Sequence, residues 1–214
     1  MEQMIQNTIN YITDYFKDDY SGHDLDHTLR VYRMAQTLAA KENADLLIVS
    51  LAALLHDVDD RKLSPETYEH LDHARAFMAH AGLDQEIIDK VCHIIKQVSF
   101  SGTDSLTPDT IEGMCVQDAD RLDAMGAIGI ARAFSFGGYH HRKMYDPDIL
   151  PLNDMDAKTY FNHTNGTTIN HFYEKLLLLK DMMNTKAAKD IAQKRHDYMV
   201  IFLDEFKAEY YGER

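Results

Sequence analysis

The amino-acid sequence predicts an all-α fold, and two observations support that expectation. Apolar residues recur at the period of an α-helix almost throughout the chain. Only 4 of the 214 residues are Pro and 10 are Gly, which favours long helices over strands joined by turns. Because 45% of the residues are hydrophobic and no linker-like tract interrupts them, we expect a single domain over residues 1–214.

Three helices are predicted before residue 60. A stripe of apolar residues marks the first, over 5–16, and another stripe marks the second, which begins near Asp24. The third is the run 46–55, which is apolar almost without interruption and ends at His56. A helix of that composition is expected in the interior of the protein.

Two further helices are predicted before residue 100. Ser64 followed by Pro65 is typical of a helix start, since Ser caps the first turn and Pro is tolerated at its first position. Gly82 is expected to end that helix, and Asp84 can cap the next one. The apolar residues of 87–98 recur at helical spacing, so this helix has a clean amphipathic face.

The second half of the chain is predicted to contain three helices and one long loop. One helix starts at 107–109 and continues to Phe136, where two Gly residues stop it. The helical pattern then breaks down over about 137–168, and an unstructured stretch of this length is often a lid or a binding loop. Two last helices are expected over about 169–183 and 186–211.

The charge balance argues against several classes of partner. A formal net charge of −13 disfavours nucleic-acid polymers and anionic membranes, although a bound cation can still attract an anionic small molecule. No apolar run reaches the roughly 20 residues that a bilayer-spanning helix needs. The N-terminus lacks a signal-peptide pattern, so we expect a cytoplasmic protein. Cys92 and Cys115 are expected to be buried free thiols.

His56 and Asp57 stand at the end of the apolar run, an unusual place for an imidazole beside a carboxylate. Buried polar groups are costly unless they are paired, hydrogen-bonded or bound to a metal. With His27 upstream and Asp120 downstream, the chain offers two imidazoles and two carboxylates, which suit a divalent cation. The plainer alternative is a helix C-terminus that carries a His with an Asp partner.

The positions of these residues limit where such a cation could bind. Consecutive side chains on a helix diverge by about 100°. His56 and Asp57 can therefore reach one ion only beyond the end of their helix, and the polar residues 59–62 indicate that the helix does end there. His27 and Asp120 would come from two other helices, so we expect the site between facing helices.

The order His27, then His56-Asp57, then Asp120 resembles the HD superfamily of metal-dependent phosphohydrolases. The flanking residues are also similar to those of a bacterial subgroup that includes nucleoside triphosphate pyrophosphohydrolases. The matching strings lie at 22–31, 56–62, 118–124, 171–176 and 194–196. The resemblance covers nearly the full chain and implies the helical bundle of an HD domain.

The resemblance implies a role for each matching position. His27, His56, Asp57 and Asp120 would be the metal ligands. Mn²⁺ or Mg²⁺ is favoured for this mixed set, and Fe²⁺, Co²⁺ or Ni²⁺ would also suit it. Asp60 lies four residues after His56, where relatives carry an acidic residue that acts on the attacking water.

Residues near the ligands are expected to bind the substrate. Phosphoryl charge needs cations, and the nearby ones are Arg30, Arg61, Lys62 and Arg121. His23 could touch the substrate or serve only as a helix-start residue. Asp123 would support the ligands without touching the metal. The alternative for Asp118, Asp120 and Asp123 is an ordinary solvated acidic face.

We therefore predict a divalent-metal-dependent phosphohydrolase that acts on a phosphorylated small molecule. The preferred substrate is a (deoxy)nucleoside triphosphate, split into monophosphate and pyrophosphate. A nucleoside monophosphate phosphatase or a cyclic-nucleotide phosphodiesterase is the alternative within the family, and a di-iron oxygenase is a smaller one. A metal-stabilised nucleotide-binding sensor is the alternative outside catalysis. The abundant Tyr and Met residues suit a homodimer interface as well as a monomer core.

Overall fold

The computed structural model describes residues 1–17, 24–60, 64–99, 105–152, 155, 158–159 and 166–214. Within these ranges the chain is helical and has no β-strand, which confirms the predicted all-α class. The α-helices are α1 (Glu2–Tyr15), α2 (Leu25–Glu42), α3 (Leu46–Leu55), α4 (Asp72–His80), α5 (Gln85–Val98), α6 (Ile111–Asp123), α7 (Gly126–Tyr139), α8 (Thr168–His171) and α9 (Lys186–Tyr210). None of these helices combines the length and the apolar character needed to cross a bilayer.

The chain divides into two compact units. The first comprises Met1–Ser99 and Leu106–Asp120, and the second contains Arg121–Arg214. The boundary therefore falls within α6, directly after Asp120. The single domain expected over residues 1–214 stays a prediction.

Helix α3 is the centre of the first unit. Its residues Ile48–Leu55 are buried, and α1, α2 and α5 pack against it. A helix surrounded in this way needs apolar residues on every side, which explains why the run has no polar face. Asp45 caps its first turn by accepting hydrogen bonds from the N–H groups of Leu47 and Ile48, at 2.8 and 3.2 Å. The helix ends at His56.

Helix α2 begins where the sequence predicts. Asp24 is its N-cap, and the carboxylate accepts a 2.8 Å hydrogen bond from the backbone N–H of His27. His27 therefore lies in the first turn of α2, with its side chain buried. The helix ends at Asn43, which adopts the left-handed conformation with a φ of 57°.

The helix expected to start at Ser64 starts instead at Asp72, so that prediction is wrong. Residues 64–71 form hydrogen-bonded turns. Leu71 has a φ of 55°, a left-handed conformation that a continuous right-handed helix cannot contain. The predicted end is confirmed, because Gly82 follows α4 with a φ of 78°.

The single helix expected from 107–109 to Phe136 is in fact two helices. Helix α6 ends at Asp123 and α7 begins at Gly126, whose φ is 68°. A Cβ atom at Gly126 would lie 3.0 Å from Cγ of Arg195. Glycine suits both the left-handed φ and this close contact.

The stretch expected to be a loop, over about 137–168, is helical at its start. Helix α7 continues to Tyr139, and the N–H of Thr168 donates a 2.9 Å hydrogen bond to the carbonyl of Lys143. The helix expected over 169–183 is broken into three pieces. They are α8, a π-helical turn at Phe172–Leu176 and a 3₁₀ turn at Leu178–Met182. Helix α9 agrees closely with its prediction.

Candidate metal centre

The four residues expected to bind a metal lie together in the first unit. Nε2 of His27 lies 3.5 Å from Oδ2 of Asp57 and 3.4 Å from Oδ1 of Asp120. Nε2 of His56 lies 3.3 Å from the same Asp57 oxygen. Helix α2 carries His27, α6 carries Asp120, and the other two residues directly follow α3. Two imidazoles and two carboxylates thus converge from three segments of the chain.

Three of these side chains form a buried cluster. One ligand atom each from His27, His56 and Asp57 lies within 4.8 Å of the others. The three residues are only 1%, 7% and 5% exposed. The side chain of Asp120 is 26% exposed, so the group reaches solvent on that side. Ionisable groups this deeply buried need a compensating charge or ligand.

The orientation of His56 is fixed by its own helix. Nδ1 lies 2.9 Å from the carbonyl oxygen of Ala53, which can only accept a hydrogen bond, so Nδ1 carries the hydrogen. Nε2 is then left with its lone pair facing Oδ2 of Asp57. Nε2 is buried and has no hydrogen-bond partner among the described residues. Two acceptor atoms 3.3 Å apart repel unless a proton or a metal lies between them.

These residues fit a divalent metal ion. In metal sites, a His commonly donates one ring N–H to a backbone carbonyl and offers the other nitrogen to the ion, as His56 does here. Neutral imidazoles with carboxylates suit first-row divalent metals and Mg²⁺. The two negative charges of Asp57 and Asp120 would balance the charge of the ion.

Asp120 remains a carboxylate in this environment. Burial by itself raises the pKa of its carboxyl group. The hydrogen bond from His27, with further electrostatic contributions from the His27 and His56 rings, outweighs burial and the nearby Asp57 carboxylate, so the pKa of Asp120 is lowered overall. An ionised carboxylate at this position is the form that a cation needs.

Two of the other predicted residues also belong to the first unit. Asp60 is half-buried, and its N–H donates a 3.1 Å hydrogen bond to the carbonyl of Asp57. Arg30 is half-buried on α2, three residues after His27. Residues at i and i+3 lie on the same face of a helix, so Arg30 shares the face that carries His27.

The remaining predicted residues fall into two groups. Arg121 and Asp123 belong to the second unit, where the guanidinium of Arg121 donates to the carbonyl of Met182. Asp123 is buried and forms a 2.8 Å ion pair with Arg132. His23, Arg61 and Lys62 lie outside the described residues.

Sequence reasoning missed two residues that hold the segment after α3. Asp59, which the sequence indicates only as a loop acid, accepts hydrogen bonds from the N–H groups of His73 and Ala74 at 3.1 and 2.9 Å. The hydroxyl of Tyr15 on α1 donates a 2.7 Å hydrogen bond to the carbonyl of Val58. Both bonds join residues far apart in the chain, so no local pattern could reveal them.

Comparison with known proteins agrees with this architecture. A family model for the HD domain matches residues 24–125, a range that contains all four clustered residues. The chain is 38% identical over 204 residues to the protein YpgQ of Bacillus subtilis, covering 94% of this chain and 91% of YpgQ.

Solved structures of proteins with similar sequences share this fold. A Lactobacillus plantarum protein is 39% identical, covers 99% of each chain and superposes with a TM-score of 0.87. A Bacillus thuringiensis HD-superfamily hydrolase is 40% identical over 98% of this chain and 97% of its own, with a TM-score of 0.76. The complex of B. subtilis YpgQ with ADP is 38% identical over 94% of this chain and 97% of YpgQ, with a TM-score of 0.74.

The chain belongs to the HD superfamily and is an HD-superfamily hydrolase. The resemblance predicted from the order of His27, His56-Asp57 and Asp120 is thereby confirmed.

Proposed function

We propose that this protein is a divalent-metal-dependent phosphohydrolase that converts (deoxy)nucleoside triphosphates to monophosphate and pyrophosphate. The observation that carries the proposal is the buried cluster of His27, His56 and Asp57 with Asp120 beside it, in the fold of a hydrolase family. The nucleotide substrate is supported by the structure of the related YpgQ with ADP.

In this proposal His27, His56, Asp57 and Asp120 hold the ion. When bound, a divalent cation supplies Lewis acidity to a phosphoryl oxygen and acidifies water at the site. Asp60 orients the attacking water and accepts its proton. The water oxygen attacks the α-phosphorus, the bond from that phosphorus to the bridging oxygen breaks, and pyrophosphate leaves.

Cationic side chains neutralise the charge of the triphosphate and of the departing pyrophosphate. We assign this role to Arg30, Arg61, Lys62 and Arg121. His23 contacts the substrate, and Asp123 supports the ligands without touching the metal. Because the protein as a whole is strongly acidic, these few cations and the metal ion must make the electrostatic potential positive at the site.

Product analysis tests the proposal. Metal-free protein is given Mn²⁺ and a panel of nucleoside tri-, mono- and cyclic phosphates, and pyrophosphate and orthophosphate are measured separately. Asp57→Ala removes one buried carboxylate of the cluster, and Asp14→Ala removes an exposed carboxylate on α1 as a matched control. We expect pyrophosphate from triphosphates with the wild type and with Asp14→Ala, and none with Asp57→Ala.

The other outcomes identify the alternatives. Orthophosphate from monophosphates would make the protein a phosphatase, and ring opening of cyclic nucleotides would make it a phosphodiesterase. Metal and nucleotide binding without any turnover would indicate a sensor. Hydrolysis in ¹⁸O-labelled water identifies the phosphorus atom that is attacked. Attack at the α-phosphorus places the label in the monophosphate and none in the pyrophosphate.

A further inference from the structure

Backbone hydrogen bonds between near neighbours close the turn that follows α3. We call residues 56–60 the HD turn. It contains two backbone hydrogen bonds between near neighbours, from Val58 N–H to Leu55 at 3.3 Å and from Asp60 N–H to Asp57 at 3.1 Å. The turn is nevertheless buried as far as Asp59. A buried turn requires partners from elsewhere in the protein for its remaining polar groups.

Tyr15 supplies such a partner from α1. Its hydroxyl donates a 2.7 Å hydrogen bond to the carbonyl of Val58, the residue directly after Asp57. The same hydroxyl lies 2.8 Å from Oγ of Ser64. A phenol has only one hydrogen to give, so Ser64 is the donor in this second bond. Tyr15 is thus fixed by Ser64 while it holds Val58.

Asp59 fixes the next position of the HD turn. Its two carboxylate oxygens accept hydrogen bonds from the N–H groups of His73 and Ala74, in the first turn of α4. Val58 and Asp59 are therefore each anchored to a different helix. Both lie between Asp57, a proposed metal ligand, and Asp60, the proposed acceptor of the proton from water.

We propose that Tyr15 is a positioning residue for this site, acting through the carbonyl of Val58. The hydrogen bond restricts rotation of the peptide unit between Val58 and Asp59, which lies between Asp57 and Asp60 in the chain, and so holds the Asp57 carboxylate and Asp60 in a constant relation. The proposal rests on the proposed function, because it concerns the geometry of the same site. Groups that orient metal ligands in this way typically change metal affinity or activity by about 10- to 100-fold when they are removed.

Tyr15→Phe removes the hydroxyl and keeps the ring. The ring contacts of Tyr15 with Phe16 and His73, at centroid distances of 5.1 and 5.5 Å, can therefore persist in the variant. Tyr11→Phe is the matched control, since Tyr11 lies one turn earlier on α1 and stacks on Phe77 at 4.4 Å. Ser64→Ala removes the bond that orients the Tyr15 hydroxyl, so the bond from Tyr15 to Val58 should be weakened but not lost.

The experiment titrates Mn²⁺ into metal-free protein and then measures kcat and KM at saturating Mn²⁺. We expect Tyr15→Phe to bind Mn²⁺ about 10- to 100-fold more weakly and to lose kcat with little change in KM. Tyr11→Phe should match the wild type, and Ser64→Ala should fall between the two. Unfolding of the metal-free proteins is followed in parallel, because a purely structural role would lower stability without changing Mn²⁺ affinity or the split between kcat and KM.

Distinct results overturn the two proposals. Wild-type Mn²⁺ affinity and kcat in Tyr15→Phe, or an equal loss in Tyr11→Phe, would overturn the positioning role and leave the proposed function intact. A wild-type protein that binds no Mn²⁺ would overturn the proposed function and the positioning role with it. If Tyr15→Phe does not fold, a Ser64→Ala protein indistinguishable from Tyr11→Phe overturns the positioning role.

Discussion

Oδ2 of Asp59 accepts a 2.9 Å hydrogen bond from the backbone N–H of Ala74, fifteen residues later in the chain. The same carboxylate accepts from His73, so Asp59 satisfies two N–H groups in the first turn of α4. Leu71, the residue in the N-cap position, has no side chain that could do so. One buried acid therefore caps a helix from outside its sequence.

Replacement of Asp59 by Asn should destabilise the protein. The amide keeps one acceptor oxygen but turns an NH₂ group towards the other backbone N–H, so we expect the free energy of unfolding to fall by about 1–3 kcal/mol. Urea denaturation measures the change. Asp72→Asn is the control, because Asp72 is an exposed acid in the first turn of the same helix and should lose less than about 1 kcal/mol. Equal losses in the two variants would contradict the capping role.

Replacement of Asp60 by Asn should slow the reaction without removing the metal. General acid–base catalysis contributes about 10²- to 10⁴-fold, so kcat should fall within that range while Mn²⁺ affinity stays close to that of the wild type. Steady-state kinetics and a Mn²⁺ titration on the same preparation test both parts. Full activity of Asp60→Asn would remove Asp60 from the mechanism, and loss of Mn²⁺ binding would make it a ligand instead.

The break between α6 and α7 should depend on glycine at position 126. Gly126→Ala introduces a Cβ atom at a φ of 68°, 3.0 Å from Cγ of Arg195, so we expect a loss of at least about 1–2 kcal/mol of unfolding free energy. Gly138→Ala is the matched control within α7, where a Cβ atom would meet nothing within 4 Å. That variant should be neutral or more stable by about 0.4–1 kcal/mol. Thermal or urea unfolding measures both changes, and equal stabilities of the two variants would contradict the role of Gly126.

Alkaline pH should weaken the fold through the two buried thiols. Burial raises the pKa of Cys92 to about 11 and that of Cys115 to about 12, from an ordinary value of 9.0. Between about pH 9 and 11 the unfolded chain therefore loses thiol protons that the folded protein keeps. The free energy of unfolding should fall over this range by about 1.4 kcal/mol per pH unit for each thiol. Below about pH 9 the thiols should not make stability depend on pH. A Cys92→Ala, Cys115→Ala protein should show a flatter pH profile, and an unchanged slope would contradict the assignment.

The sequence could predict the all-α class and the residues that cluster, because both leave local patterns. The apolar run before His56 has to be buried, and a His-Asp pair at its end is anomalous enough to indicate a site. The N-cap at Asp24 similarly places His27 at the start of a helix, as the structure has it.

The features that sequence reasoning missed depend on contacts between distant residues. The left-handed φ of Leu71 delays α4, and a propensity argument based on Ser64 and Pro65 cannot detect it. The bond from Tyr15 to Val58 joins α1 to the turn that follows α3, and no sequence periodicity indicates it. Gly126 is the exception, since a Gly within an apolar helical pattern could have indicated a break.

In the proposed function, nucleotide hydrolysis depends on a divalent ion bound by His27, His56, Asp57 and Asp120. The most direct measurement titrates Mn²⁺ into metal-free protein and follows ion binding and pyrophosphate release from a nucleoside triphosphate in the same samples. We predict that pyrophosphate release rises in proportion to occupancy, and that both are lost in Asp57→Ala but retained in Asp14→Ala. Undiminished pyrophosphate release by Asp57→Ala, or by the wild type in excess EDTA, would contradict the account.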